Sequence, residues 1–173
     1  MTAWQPPERV EPPLVPAGER ESLESWLEYH RATLLVKCAG LDPQQLATRS
    51  SPPSSLSLLG LVRHMADVER NWFRRVLDQQ DSPPLFYSEQ SPDGDFDDVD
   101  PARADDDLAV YLSEVEAARE IAGRHDLGDV ALRRRTGEGM NMRWILTHMI
   151  EEYARHNGHA DLLREQIDGA TGE

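Results

Sequence analysis

The sequence predicts an all-α protein, a four-helix bundle with long connecting loops and an extended N-terminal arm. Three observations carry this. Apolar residues recur at helical spacing in four separate stretches, all 12 prolines fall outside those stretches, and no segment of convincing length alternates with the period of a strand. A chain of 173 residues suits one domain. Four amphipathic helices bury their apolar faces most simply against one another.

Residues 1–17 hold Pro6, Pro7, Pro12, Pro13 and Pro16, which withdraw backbone donors and disfavour helix in the residues before them. They read as an extended arm, with 18–173 as the single domain. The first helix is expected over 19–39, carrying Leu23, Trp26, Leu27, Leu34 and Cys38 and stopping at Gly40. Ser55 or Ser57 caps the second, over 55–78. Leu58, Leu61, Val62, Met65, Val68, Trp72 and Val76 form its apolar face, and Arg63, Asp67, Arg70 and Arg74 its opposite, polar stripe. Trp72 and Phe73 adjoin Arg74 and Arg75, which suggests that one ring faces outward, and homodimerisation through a helix face follows as an expectation.

Residues 79–102 combine five of the prolines and glycines with Asp93, Asp95, Asp97, Asp98 and Asp100. They read as a long solvated connector, with Phe86 or Tyr87 packed down. A calcium loop starting at Asp93 would need glycine at its sixth position and glutamate at its twelfth, where Asp98 and Ala104 stand. These carboxylates are therefore expected to be dispensable for metal binding. The third helix, over 104–123, places Leu108, Leu112, Val115, Ala118 and Ala122 on one face. A connector with Gly128, Gly137, Gly139 and the run Arg133-Arg134-Arg135 leads to the fourth, over 142–167, ending at Gly169. The 24-residue acidic connector can reach roughly 80 Å while a 20-residue helix is about 30 Å long, so it is long enough to cross the bundle.

With 18 basic and 32 acidic side chains the formal net charge is −14, which argues against nucleic acid or an anionic membrane as partner. No apolar run approaches the roughly 20 residues of a membrane-spanning helix, and the N-terminus lacks the pattern of a signal peptide. A cytoplasmic location is expected. Cys38 stands alone, so a cysteine zinc knuckle is excluded and any metal must be held by histidine and carboxylate.

On the fourth helix Ile145, His148, Glu152, His156, His159 and Leu163 fall within about 40° of one line. An ionised carboxylate on an apolar stripe is costly unless paired or metal-bound. His64 lies mid-face on the second helix, and with the i, i+4 pair Glu152 and His156 it completes a three-ligand set. Two imidazoles and a carboxylate leave coordination positions open on zinc, nickel or iron. His148 is a rival ligand, four residues from Glu152, or a pocket group beside it. His159 and Arg155 join it in the expected surroundings of the site. Arg155 or Arg143 is placed to hold a substrate carboxylate. His30 reads as core or pocket wall, His125 carries no signal, and Cys38 reads as a small buried hydrophobe. The H-E-x-x-H, G-x-S-x-G, P-loop and dinucleotide patterns are absent.

Two motifs carry a resemblance: Leu61-Val-Arg-His64-Met-Ala-Asp-Val68, and His148-x-x-x-Glu152-x-x-x-His156-Asn-Gly-His159-Ala-Asp161-Leu162. The chain resembles the DinB/YfiT-like superfamily of metal-binding four-helix bundles. Glu152 stands where many members have a histidine, as in the branch typified by mycothiol-dependent maleylpyruvate isomerase. The resemblance implies one divalent metal on His64, Glu152 and His156, zinc first, with nickel or iron as alternatives. It also implies a low-molecular-weight thiol of mycothiol type and an electrophilic substrate, in a transferase or isomerase reaction. That isomerase looks like a bundle with a further C-terminal domain, whereas single-domain members include thiol S-transferases. The alternative reading is a metal-binding or stress-related protein without catalysis.

Overall fold

The computed structural model describes residues 5, 7–133 and 136–171. It is mostly helical. Residues 7–17 carry no helix or strand, and Arg134 and Arg135 of the arginine run lie outside the described residues. Four long helical segments dominate. Helix α1 spans Glu19–Cys38 and ends before Gly40, whose φ of +76° is open to glycine at little cost. Asp42 and Gln45 form a capping box on the short α2, Pro43–Leu46. Ser57 caps α3, Leu58–Glu69, which runs on without a break as a π-helical stretch, Arg70–Leu77. A single turn, α4, Gly94–Asp97, and a 3₁₀ turn, Pro101–Arg103, precede α5, Ala104–Ala122. Asn141 caps α6, Met142–Asp168, and Gly169 closes it in the left-handed conformation.

Helix α1 packs along α6, while α3 and its π-helical extension pack along α5 and also meet α6. Leu27 and Leu34, Leu58, Leu61 and Met65, Tyr111 and Val115, and Ile145, Met149 and Tyr153 come from these four segments into one core. Each such side chain contributes about 1.5–3 kcal/mol by leaving water.

Several local expectations change. Trp26 is half exposed on the flank of α1, edge on to Tyr29 and tilted against His30. Leu112 is exposed on α5, and Tyr111 takes the core position beside it. Trp72 and Phe73 are both buried, so neither faces outward. The connector after α5 contains a small antiparallel pair, β1 (Val130–Leu132) and β2 (Gly139–Asn141), with Ala131 opposite Met140. Three-residue strands are too short for an alternation to stand out in sequence.

The largest change concerns the polar stripe of α3 and the acidic segment. Arg63 and Asp67 are buried, because the segment 79–102 is strapped across them. Arg63 donates to the carbonyls of Asp95 and Gly94 and to Asp107, and its guanidinium lies 4.3 Å from the Phe86 ring centre. Asp67 accepts from the backbone N–H groups of Leu85 and Phe86, and Arg70 donates to the Pro83 carbonyl. Burial pushes the Asp67 carboxyl up, against the pull of those two N–H groups. A stripe of charges thus marks a docking face for chain that would otherwise expose unpaired backbone.

Gly94 sits at the tightest point, where an added Cβ would meet the Phe86 carbonyl oxygen at 2.5 Å. Gly94→Ala is therefore expected to cost about 1–3 kcal/mol in urea unfolding, the usual range for overpacking. An unchanged midpoint would show that the strap tolerates displacement.

Candidate metal centre

Helix α6 presents His148, Glu152 and His156 one turn apart, and α3 brings His64 to the same place. One donor atom each from His64, Glu152 and His156 lies within 4.8 Å of the other two. The carboxylate of Glu152 sits between two imidazoles: Oε2 is 3.5 Å from His156 Nε2 and Oε1 is 3.3 Å from His148 Nε2. The His64 and His156 rings meet edge on, centroids 4.7 Å apart. His156 Nδ1 lies 3.4 Å from His159 Nδ1, which leaves Nε2 turned toward Glu152.

His148 also approaches Glu151, with Nδ1 and Oε2 3.3 Å apart, so His148, Glu151 and Glu152 form a second convergent group that shares Glu152. Its ring is stacked on Trp144 and set edge on to Trp72. This position fits a pocket wall beside the carboxylate. Arg155 is exposed and paired with Glu151, and Arg143 is paired with Glu19. Neither arginine is left as an unpaired cation for a substrate carboxylate. His30 accepts a place in the core wall through Asn157, which donates to its carbonyl. His125 is not idle, lying 3.6 Å from Asp78 and 3.3 Å from Asp129. Cys38 is fully buried and its thiol is pushed up to about 12 by desolvation, so it is no nucleophile.

Two residues near the centre escaped the sequence reading. Asp95 places Oδ2 2.7 Å from His64 Nδ1, and Phe96 stacks on the His64 ring with centroids 5.1 Å apart. Asp95 belongs to a run of similar aspartates, and nothing in their spacing distinguishes it. The neighbouring Gly94 was the one signal, a residue without a side chain in a crowded acidic stretch. A cleft of about 300 Å³ opens beside His64, walled by Asp67, Asn71, Trp72, Tyr87, Asp93 and Phe96. A larger cavity of about 500 Å³ lies between α1, α5 and the arm, where Glu28, Arg31 and Arg119 are already paired with one another or with Glu69.

The donor set of two imidazoles and one carboxylate is one that divalent transition metals take, and its placement on two packed helices fits such an ion. The family comparison bears on the same residues. A sequence-family profile described as mycothiol-S-transferase matches residues 22–169. The chain belongs to that family. No individual curated protein matches it. The mycothiol-S-transferase family is DinB/YfiT-like, and its family-level function is that of mycothiol-related transferases. The matched span of this family member takes in the four long helical segments apart from the first three residues of α1, the acidic strap, and every histidine of the centre.

The surroundings of His156 disfavour its protonation. Burial, then the neighbouring His64, His159 and Arg155, lower its pKa to about 4. An unfolded chain would protonate this ring near pH 6.5. Between those values the folded, metal-free protein binds fewer protons than the unfolded one, so stability is full above about pH 6.5 and falls as pH drops toward 4. His30, lowered by burial, adds a loss of the same sign. For His156 the loss is on the order of 3 kcal/mol by pH 4. Urea titrations of metal-free protein between pH 7 and 4 should show it, and His156→Gln should flatten the slope. A profile unchanged in that variant would remove His156 as its source. Among the described residues no helix is long and apolar enough to cross a membrane.

Proposed function

We propose that the protein is a divalent-metal-dependent transferase that joins a low-molecular-weight thiol of mycothiol type to an electrophile. The observation that carries this is the convergence of His64, Glu152 and His156 donor atoms from two packed helices, in a chain of mycothiol-S-transferase family membership. Those three side chains hold the metal, zinc first, with nickel or iron as alternatives that the same donors accept. When bound, it supplies the charge that lets a coordinated thiol ionise near neutral pH.

The remaining work falls to the chain's own residues. His156 stays neutral over the working range and keeps its lone pair available. Asp67, Asp93, Asn71 and Tyr87 line the cleft with acceptors and donors for the hydroxyl and amide groups of a polar thiol, and Trp72 and Phe96 give it apolar walls. An anionic electrophile is disfavoured by these carboxylates. In the transfer the thiol's S–H bond is replaced by an S–C bond; the proton leaves to solvent and the leaving group departs with its bonding pair.

The proposal extends to the architecture, a single DinB-like four-helix-bundle domain over 18–173 with 1–17 as an arm, and to the cytoplasm, where small thiols are kept reduced. Partners are then the thiol and its electrophile, without nucleic acid or membrane.

Elemental analysis of protein purified without added metal, followed by thiol consumption against a haloaromatic electrophile, tests the reading. Stoichiometric metal with thiol loss that chelator abolishes is the expected result. Protein that neither carries nor takes up metal would end it, whereas bound metal without thiol consumption would leave a non-catalytic metal-binding or stress-related protein.

A further inference from the structure

The acidic strap was expected to be dispensable for metal binding, yet it delivers one buried carboxylate to a metal-competent histidine. We infer that Asp95 is a positioning residue, which fixes His64 as the Nδ1–H tautomer and so leaves the Nε2 lone pair for the ion. The inference rests on the metal site proposed above.

The geometry is specific. Asp95 Oδ2 lies 2.7 Å from His64 Nδ1, and Asp95 is 5 % exposed. An ionised carboxylate offers only lone pairs, so the imidazole must supply the hydrogen. Nδ1 is then spent and Nε2 is the nitrogen left unprotonated in the neutral ring. The carboxylate is not free to wander. Its own carbonyl and that of Gly94 are both held by the buried Arg63, at 3.0 and 2.9 Å, and Arg63 is in turn paired with buried Asp107 at 3.1 Å. Phe96, the next residue, stacks on the face of the same ring. Three consecutive residues thus serve one imidazole, Gly94 by letting the strap approach, Asp95 by holding Nδ1 and Phe96 by fixing the plane.

A direct ligand role is not what this placement indicates. Among the described residues Asp95 belongs to neither convergent donor group. His156 differs from His64, since its Nδ1 faces the imidazole of His159 at 3.4 Å and not a carboxylate. His64 is therefore the imidazole that a carboxylate orients, and supporting groups of this kind matter to metal affinity by roughly 10–100-fold.

The test compares parent protein with Asp95→Ala and Asp95→Asn. In metal-free protein, ¹⁵N chemical shifts of the His64 ring report the tautomer. In Co²⁺ titrations, affinity and the ligand-field spectrum report the site. The parent should show Nδ1–H. Asp95→Ala should shift toward the Nε2–H form that free histidine favours and bind Co²⁺ roughly 10–100-fold more weakly with unchanged coordination number. Asp95→Asn keeps an acceptor oxygen without the charge, so it should retain the tautomer and lose less affinity. Parent-like tautomer and affinity in Asp95→Ala would overturn the inference while leaving the site standing, and a lower coordination number would overturn it in favour of direct ligation. Should the alanine variant not fold, Asp95→Asn with parent affinity is the overturning result. Parent protein that takes up no Co²⁺ would overturn the metal reading and this inference together.

Discussion

Glu152→Ala should purify with almost none of the metal that the proposed site gives the parent protein. The carboxylate is one of three candidate donors, and the other two are imidazoles. Its loss leaves two neutral imidazoles, which cannot compensate a divalent ion inside a half-buried site. The expected fall in affinity exceeds the roughly 10–100-fold that supporting groups cost. His156→Ala and His64→Ala should behave alike. His148→Ala is the discriminating variant, because its Nε2 lies 3.3 Å from Glu152 Oε1, nearer than the 3.5 Å between Glu152 and His156, yet it belongs to the group that includes the exposed Glu151. It should weaken retention modestly through the orientation of Glu152. Equilibrium dialysis against zinc measures all four, and metal lost from His148→Ala but kept in Glu152→Ala would reverse the assignment.

The largest expected change in stability comes from Glu69→Leu, at about 3–5 kcal/mol. Glu69 has no exposed surface, accepts two bonds from Arg31 at 2.7 and 2.6 Å, and takes a third from the Tyr153 hydroxyl at 2.7 Å. Tyr111 adds a fourth member, its hydroxyl 3.0 Å from that of Tyr153. Burial alone would lower Arg31, but the charge and hydrogen bonds of Glu69 hold it well above its ordinary value. Removing the carboxylate strands a buried guanidinium with Glu28 alone for charge. The double variant Arg31→Met with Glu69→Leu removes both charges and should recover most of the loss, since apolar replacement of a whole buried pair is often nearly neutral. Urea unfolding checks both; a single-variant cost below about 1 kcal/mol would mean water reaches the pair. Tyr153 directly follows Glu152 on α6, so the same network fixes the helix's rotation and with it the side on which Glu152 and His156 stand.

The helices were legible because their signals are local. The cap at Ser57, the stop at Gly169 and the apolar periodicity need no knowledge of partners, whereas the Asn141 cap was not read from the sequence. Glu152 and His156 were legible for the same reason, one helix turn being enough to put them side by side. His64 required a second helix to face the first, and its mid-stripe position supplied that. What stayed hidden was everything decided by long-range pairing. Arg63 and Asp67 look solvated in sequence, and become buried only because a segment some 20–30 residues downstream brings backbone for them to bind. Asp95 is hidden for the complementary reason, since five aspartates in a row of loops are chemically equivalent until one of them is placed against a ring. The π-helical stretch Arg70–Leu77 has no periodic signature of its own, although it lets Arg70 and Arg74 both reach Glu114 while Trp72 meets His148.

The burial of Cys38 has a bearing on any electrophile that reaches the cleft. A protein that brings thiols and alkylating substrates together ordinarily risks modifying itself. Here the one sulfhydryl is sealed in the core and its thiol is pushed up to about 12, so there is no protein thiolate for a stray substrate to label. Turnover in the proposed transfer should not be self-inactivating through cysteine, and thiol lost in an assay can be charged to the small molecule.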